Sequence, residues 1–225
     1  MNHSILLLED PPQALHASGD LLRASLGLSL VSLLVFGLAY SLVGAGVGRA
    51  MFADTATGSL LERDGKVVGS SLAAQPFADT RYFFPRPSAA NYDLMALAGS
   101  NQARTNPDMR QRVEAARAEV AQREGVDPAA VPSDLVTQSG GAIDPHISPQ
   151  AAAIQIARVA QARGMDVAQV QALVAAHTQT PQWGVFGAAR VNVLRLNLAL
   201  DAADTGAEAA VAARPAAPAH DASRR

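Results

Sequence analysis

The longest apolar run of the chain lies near its N-terminus. No charge occurs between Ala24 and Gly48. As a helix this run would be about 37 Å long at 1.5 Å per residue, enough to cross a hydrocarbon core of roughly 30 Å. Because only a helix closes its own backbone hydrogen bonds in lipid, we expect a transmembrane helix over residues 23–49. The side chains expected to face lipid include Leu26, Leu30, Leu34, Phe36, Leu38, Tyr40 and Leu42.

Two other interpretations fit the same run. A cleaved signal peptide would use the small residues Gly44, Ala45 and Gly46 as its cleavage region, although its apolar core is normally about 7–15 residues long and nearer the N-terminus. A buried helix of a soluble protein would need other segments apolar enough to cover it on every side. Arg23 and Arg49 place one basic residue at each flank, so charge does not indicate the orientation.

Beyond the apolar run, a hairpin and an irregular loop follow. Short apolar arms around Asp64-Gly65 predict a β-hairpin over residues 58–70, since Asp-Gly favours the positive φ angles of a type I′ turn. Residues 75–100 have no period and are rich in aromatic residues, proline and glycine. We expect this loop either to pack its rings inward or to present them to a partner, and we favour packing.

Three helices are predicted from their start and stop signals. The starts are Asn106-Pro107, Ser148-Pro149 and Asp166 with Gln169, and Gly125 and Gly164 end the first two helices. Apolar residues at helical spacing predict the buried stripe of the third helix: Val167, Val170, Leu173 and Val174.

The C-terminal part combines an ambiguous segment with a polar tail. The apolar positions of residues 190–200 partly alternate and partly follow a helical period, which leaves strand and helix both open. Residues 202–225 are rich in alanine and proline without large apolar side chains, and such a segment is predicted to be a disordered tail. The expected fold class is therefore α+β: an N-terminal extension over residues 1–22, one transmembrane helix, a compact mixed α/β soluble domain over residues 50–201, and the tail.

Composition and motifs exclude several classes of function. The chain has no cysteine, which excludes a disulfide scaffold and a thiol nucleophile. A net charge of −2 gives no basic surface for nucleic acid. There is no GxSxG, HExxH or Walker A motif, and the aspartyl-phosphate motif of a P-type pump is also missing. We therefore expect no catalytic residue and no metal site.

Two clusters of candidate residues need interpretation. Ser139, Asp144 and His146 are close in sequence, but catalytic triads usually join distant segments, so we place His146 in a turn ahead of Ser148. His177 is expected at a helix end, where a histidine favours the negative end of the dipole.

The other cluster is the stretch Gln138-Ser139-Gly140-Gly141. Consecutive glycines let backbone N–H groups line an anion site, and the helix that starts near Pro149 could add its positive end. The alternative, which the residues alone favour, is a plain turn.

Several stretches, in this order and spacing, together resemble the C-subunit family of the bacterial Kdp potassium-transporting ATPase over residues 23–201. They are GSLLERDGKVVGS at 58–70, Tyr82-Phe83 with Arg86-Pro87-Ser88, Gly99-Ser100-Asn101 with Thr105-Asn106-Pro107, VTQSGGAIDPHISP at 136–149, His177-Thr178, and the segment 190–201. The residues that carry the family motif are Arg86, Ser88, Asn101, Asp144, His146, Ser148, Arg190 and Asn192. The chain departs from the family pattern at Ser41, Phe84-Pro85 and Gly141-Ala142.

The resemblance implies a non-catalytic subunit of an inner-membrane complex. Its partners would be the channel-like potassium-binding subunit KdpA, the ATPase subunit KdpB and the small subunit KdpF, which together import potassium with high affinity at the expense of ATP. The C subunit is expected to assemble the complex and to act as a catalytic chaperone that raises the ATP affinity of KdpB. The resemblance further implies ATP contact at Gln138, Ser139, Gly140 and Gly141.

Two alternatives accompany this expectation. The family topology places the soluble domain outside the cytoplasm, where ATP is scarce, so a second role is to cap the outer face of KdpA. A different class of function is a membrane-anchored extracytoplasmic binding protein or enzyme. If the chain is a subunit of the pump, its span could pack against partner helices through Gly37, Ala39, Gly44 and Gly48, because small residues let helices approach closely.

Overall fold

The computed structural model describes the backbone of residues 17–212 and the side chains of residues 19–204. The chain divides between Thr57 and Gly58 into two units. The first is helical, and the second, called the head here, is a mixed helix and strand domain. The helices of the first unit are α1 (Ala17–Ser32), a π-helical segment (Leu33–Ala39), α2 (Tyr40–Met51) and the single turn α3 (Ala53–Ala56).

The apolar run forms one continuous helix, as the sequence predicts. Residues Gly19–Met51 have a mean hydropathy of 2.2, and none of this stretch is buried within the protein. All seven lipid-facing residues predicted above, from Leu26 to Leu42, lie on it and are at least half exposed. Within residues 17–212 this is the one helix long and apolar enough to cross a membrane. It fits a single-pass membrane protein, because it is long and apolar enough to span a bilayer and none of it is buried.

The head begins with the predicted hairpin. Strands β1 (Leu60–Arg63) and β2 (Lys66–Ser70) pair antiparallel, with an irregularity in the register after Leu61. Asp64 and Gly65 have φ angles of 52° and 72°. Both angles are positive, as a type I′ turn requires, so the hairpin prediction is confirmed.

The rest of the head packs helices around a small antiparallel sheet. Its strands are β3 (His146–Ile147), β4 (Thr178–Gln179) and β5 (Arg190–Asn192), with β5 in the middle. The helices are α4 (Pro107–Glu124), α5 (Pro149–Ala153), α6 (Ile156–Arg163), α7 (Val167–Ala176) and α8 (Val193–Ala212), with short 3₁₀ turns at Pro128–Ala130 and Ser133–Leu135. The core they enclose includes Phe83, Leu135, Ile147, Val159, Val170, Val191, Leu196 and Leu200.

The helix starts are confirmed by their caps. The side chain of Asn106 accepts hydrogen bonds from the N–H groups of Asp108 and Met109 at the start of α4. Ser148 caps α5, and Asp166 with Gln169 forms the predicted capping box of α7. The buried stripe of α7 is right at Val170 and Val174 but wrong at Val167, which is 51% exposed because it occupies the first turn beyond the core.

The single helix expected after Ser148 is interrupted. It breaks between α5 and α6, where the N–H of Gln155 bonds Ala152 O (3.0 Å). The carbonyl of Ala151, the normal acceptor four residues back, instead receives the side-chain Nε2 of Gln155 at 3.1 Å. A buried polar side chain therefore competes with the helical hydrogen bond and divides the helix.

The ambiguous segment 190–200 contains both structures. It is a strand up to Asn192 and a helix from Val193 onwards, and that helix continues to Ala212. The first part of the predicted tail is thus helical, whereas residues 213–225 and residues 1–16 lie outside the described residues. The aromatic loop packs inward at Phe83, which is fully buried, while Leu94 and Met95 stay exposed.

Candidate functional site

Two buried amides hold the segment that leads to the family motif. The side chain of Asn197 accepts a hydrogen bond from the N–H of Phe83 (2.9 Å) and donates one to its carbonyl (3.0 Å). Gln155 does the same for the next residue, since its Oε1 accepts from the N–H of Phe84 (2.8 Å) and its Nε2 donates to Phe84 O (3.3 Å). This amide clamp, Asn197 with Gln155, fixes an irregular segment that has no strand to pair with, and so places Arg86.

Arg86, Asp144 and His146 form a connected cluster. Nη1 of Arg86 donates to Asp144 Oδ2 at 3.0 Å, and the backbone N–H of His146 donates to Asp144 Oδ1 at 3.0 Å. The ring nitrogen Nδ1 of His146 also lies 3.2 Å from that oxygen. Nε of Arg86 is buried without a hydrogen-bond partner among the described residues. The three residues come from two distant segments, which makes the cluster a product of the tertiary fold.

The electrostatics of the cluster favour an ionised carboxylate. Partial burial raises the pKa of Asp144, but the hydrogen bonds from His146 and Arg86 together with the positive charge of Arg86 outweigh this, so its pKa lies below the ordinary value of 3.8. At neutral pH the carboxylate therefore accepts hydrogen bonds from both neighbours. It orients them rather than exchanging a proton.

A groove of about 390 Å³ runs beside this cluster. It is lined by Arg86, Ser133, Asp134, Asp144, His146, Ile147, Ser148, Ala188, Ala189 and Arg190. Within this groove, the carboxylate of Asp134 accepts hydrogen bonds from the N–H (2.7 Å) and the hydroxyl (3.2 Å) of Ser148. Arg190 lies at the edge of the groove, where its Nε donates a hydrogen bond to Oε1 of Gln179 at 3.1 Å. Five of the eight family-motif residues thus meet at one surface, which we call the motif groove.

The other three motif residues lie elsewhere. Ser88 accepts from the N–H groups of Ala90 and Tyr92 and shapes the loop behind Arg86. Asn192 is buried, donates to Ser71 O at 2.8 Å and accepts from the N–H of Arg195 at the start of α8. Asn101 is exposed, with a φ of 49°. Ser88 and Asn192 support the fold through these hydrogen bonds, and none of the three residues lines the groove.

The stretch Gln138–Gly141 forms a turn next to the cluster. Ala142 N–H bonds Ser139 O at 3.2 Å, and the buried Ser139 hydroxyl accepts from the N–H of Asp144 at 3.4 Å. Gly140 and Gly141 are exposed, and within residues 17–212 neither N–H donates a hydrogen bond. A Cβ at either glycine would meet open space, and neither has a positive φ. The fold itself does not require glycine at these two positions.

A catalytic triad is not assembled here. The Ser139 hydroxyl contacts the backbone of Asp144, whereas His146 contacts the carboxylate of that residue. His177 lies at the end of α7, as expected, where its Nδ1 is 2.9 Å from Leu173 O. The described residues contain no group of three potential metal ligands.

Glu124 forms a buried ionic cluster with two arginines that the sequence does not predict. The side chain of Glu124 is fully buried and contacts Nε of Arg123 (2.6 Å) and Nε of Arg158 (2.8 Å). Both guanidinium groups lie over the Phe84 ring, 4.4 Å and 4.7 Å from its centroid, at cation–π distance. Glutamate is rarely fully buried unless it is paired, and only the tertiary fold brings Arg158 to Glu124 in the last turn of α4.

A second ionic cluster ties the hairpin to α8. Asp201 accepts from Tyr82 (3.1 Å) and Arg163 (2.9 Å) and pairs with Arg63 of β1. Arg163 also pairs with Asp204. The family-like segment that ends at Asp201 therefore works inside the head, holding its first strand and its last helix together.

The chain is similar to known potassium-transport proteins. The family model described as KdpC, K+-transporting ATPase, c chain, matches residues 22–202. A Potassium-transporting ATPase KdpC subunit from Xanthomonas oryzae pv. oryzae is 58% identical over 185 residues, covering 82% of this chain and 88% of the relative. Proteins of the same name from Shewanella putrefaciens and Dechloromonas aromatica are 52% and 45% identical, cover 80% of this chain, and are themselves covered to 88% and 96%.

Proposed function

Because the chain belongs to the KdpC family of subunits of potassium-transporting ATPases, we propose that it is the non-catalytic subunit that assembles and stabilises a high-affinity, ATP-driven potassium import complex. Its partners are KdpA, KdpB and KdpF. The apolar helix spans the inner membrane once, and the head lies outside the cytoplasm. The motif groove is the surface through which the head docks on a partner subunit.

The convergence of the family motif supports this proposal. Arg86, Asp144, His146 and Ser148 bond to one another, to Asp134 or to the backbone, which builds a defined surface. A hydrolytic site would instead need a nucleophile in contact with a general base. A rigid surface with arginines at its edge is suited to a protein interface, where arginine is enriched.

A matched pair of arginine variants tests the docking role. Arg190 lies at the edge of the motif groove and Arg195 lies on an exposed face of α8, so neither replacement by alanine opens the core. We expect Arg190→Ala to reduce growth at low external potassium in cells that depend on this pump, and Arg195→Ala to leave it unchanged. Equal growth of both variants and the unmodified protein would remove the groove from the interface.

We also propose that the Gln138–Gly141 turn contributes to the ATP dependence of the pump. Its support is the pair of exposed glycines whose N–H groups have no acceptor within residues 17–212. Such donors fit a phosphate. With the head outside the cytoplasm, the turn would act on the ATP affinity of the pump through a partner subunit. The N–H groups of Gly140 and Gly141 would hold the ATP phosphates directly only if the head lay in the cytoplasm, and the buried Ser139 would contact them in neither case.

The glycines allow a test that separates contact from folding. Gly140→Ala and Gly141→Ala add a methyl group in open space, so we expect a folded head but a weaker apparent affinity of the assembled pump for ATP. Gln138→Ala is expected to do the same without dispersing the complex. Gly99→Ala is the comparison for a disturbed fold, because its Cβ would lie 2.7 Å from Gly140 O and would force the backbone to shift. Unchanged ATP dependence in all three turn variants would refute the proposal.

The orientation of the head decides between direct and indirect effects on ATP. A reporter should be fused after Arg225 rather than inside α8, because Leu200 is fully buried. We expect activity only from a reporter that works outside the cytoplasm, in which case the head acts on ATP affinity through its partners. A cytoplasmic signal would contradict the proposed topology.

A further inference from the structure

The hairpin between β4 and β5 exposes three large apolar side chains at its tip. Trp183, Val185 and Phe186 are 84%, 77% and 61% exposed. No charged residue occurs from Thr178 to Ala189. Aromatic side chains usually bury about 150–250 Å² each. Two exposed rings and a valine at one tip therefore form an apolar surface that is typical of an interaction site.

The backbone holds these side chains outward. Gln182 and Phe186 exchange two hydrogen bonds of 2.8 Å and 2.9 Å, and a third bond joins Gly184 N–H to Pro181 O at 3.0 Å. The rings of Trp183 and Phe186 meet edge to face with centroids 5.9 Å apart. These bonds fix the shape of the tip itself, and Trp183, Val185 and Phe186 are all exposed on it.

Trp183 itself has an unusual backbone conformation. Its φ is 53°, in the left-handed region that a bulky side chain rarely adopts. Gly184 follows with a φ of 78°. Two consecutive residues with positive φ suit the centre of a type I′ turn, here inside a three-residue loop between the paired Gln182 and Phe186, and asparagine or glycine would form it with less strain. The chain instead places its single tryptophan there.

We propose that this tip, residues 181–187, inserts into the interfacial region of the bilayer that holds the apolar helix. Tryptophan favours that region because its ring is apolar and its N–H remains hydrated. Residues 52–59 connect the span to β1, so the head is tethered by a short segment to the bilayer that holds the span. The insertion goes beyond subunit assembly and gives the head a second membrane contact.

Because Trp183 is the only tryptophan of the chain, its fluorescence reports on this tip alone. The full chain is reconstituted into nanodiscs made of ordinary phosphatidylcholine or of phosphatidylcholine brominated near the top of the acyl chains. We expect the emission of Trp183 to shift to the blue relative to the denatured protein and to lose most of its intensity in the brominated lipid. Emission that is equal in both lipids would overturn the proposal.

Two variants that move the tryptophan provide the controls. In Trp183→Phe with Leu38→Trp, the ring lies in the apolar helix, and quenching there reports that the span is in lipid. In Trp183→Phe with Gln111→Trp, the ring lies among the charged side chains of α4, where no quenching is expected. If the Leu38→Trp variant is quenched and native Trp183 is not, the tip proposal fails while membrane anchoring stands.

The remaining rival is a protein partner. Nanodiscs that contain the whole pump are compared with nanodiscs that contain this chain alone. We expect bromine quenching of Trp183 in the chain alone, with no need for other subunits. A blue shift that develops only in the assembled pump, without quenching by brominated lipid, would assign the tip to a protein interface and refute lipid insertion.

Discussion

Single polar residues decide the shape of the surface on which the family motif meets. The loop that carries Arg86 has no strand partner, and the amides of Gln155 and Asn197 supply the hydrogen bonds that a neighbouring strand would otherwise provide. Both amides are buried, and buried amides without partners are costly. The placement of Arg86 therefore depends on residues far from it in sequence.

The amide clamp leads to a stability prediction. Gln155→Ala leaves the N–H and the carbonyl of Phe84 without this partner and removes a contact of Arg158 (2.9 Å). We expect the free energy of unfolding of the head to fall by at least about 2 kcal/mol, since each buried unsatisfied group costs about 1–3 kcal/mol. Gln161→Ala, on the exposed face of α6, is the control. Chemical denaturation measures both, and equal stability of the two variants would contradict the clamp.

Asp144 leads to a pH prediction. Its pKa in the folded protein is lowered, so its ionised form contributes stability above the ordinary pKa, and this contribution is lost as the pH falls through the lowered value. The stability difference between the unmodified protein and Asp144→Asn should be present at pH 7 and should shrink below about pH 4. The exposed Asp79–Arg81 pair gives the control Asp79→Asn, whose effect should be small. A difference for Asp144→Asn that grows towards acid would reverse the assignment.

The sequence carried a signal for Gln155 that its hydrophobic pattern obscured. Gln155 stands among Ala152, Ile156 and Val159, which are apolar residues at helical spacing, and a polar residue on such a face must find a buried partner. The partner itself could not be predicted, because Phe84 lies in a loop without periodicity. Ala142, where this chain differs from the family pattern, has a φ of 64°. Glycine adopts such a positive φ more readily than alanine, so glycine would suit this position.

At the scale of elements, prediction succeeded where the cause is local. The caps at Asn106, Ser148 and Asp166 and the turn at Asp64-Gly65 depend on a few neighbouring residues, and all were found. The switch from β5 to α8 at Val193 was left open, because its strand forms only through pairing with β3 and β4. The extension of α8 to Ala212 was missed, since alanine-rich composition also fits a helix.

The span supports a prediction about assembly. Gly37, Ala39, Gly44 and Gly48 are small, and a Cβ added at Gly37 or at Gly44 would have no atom of the described residues within 4 Å beyond the adjacent backbone of its own helix. If partner helices pack there, Gly44→Leu should reduce the amount of complex recovered while leaving the head folded. Val43→Leu, one position along, adds apolar bulk without removing a small residue and should have little effect. Equal recovery of complex from the two variants would place Gly44 away from any helix interface.

At the scale of the whole molecule, the family and its anchored architecture could be predicted from the sequence, and the site could not. Composition and length identified the apolar helix, and motifs from separate stretches identified the family. The motif groove exists only after β3, β5 and the loop of Arg86 come together. The exposure of Trp183 and Phe186 could not be predicted either, because the pattern of residues 181–187 does not indicate whether a hairpin directs its rings inward or outward.

The central claim is that this chain is a single-span subunit that assembles with the other parts of a potassium-transporting ATPase. The most direct test is to tag the chain in cells that make the whole pump, extract it in a mild detergent and identify what is recovered with it. We predict that KdpA, KdpB and KdpF are recovered together with a chain that retains its apolar helix. Recovery of a solitary, water-soluble chain that has lost its first fifty or so residues would contradict the account.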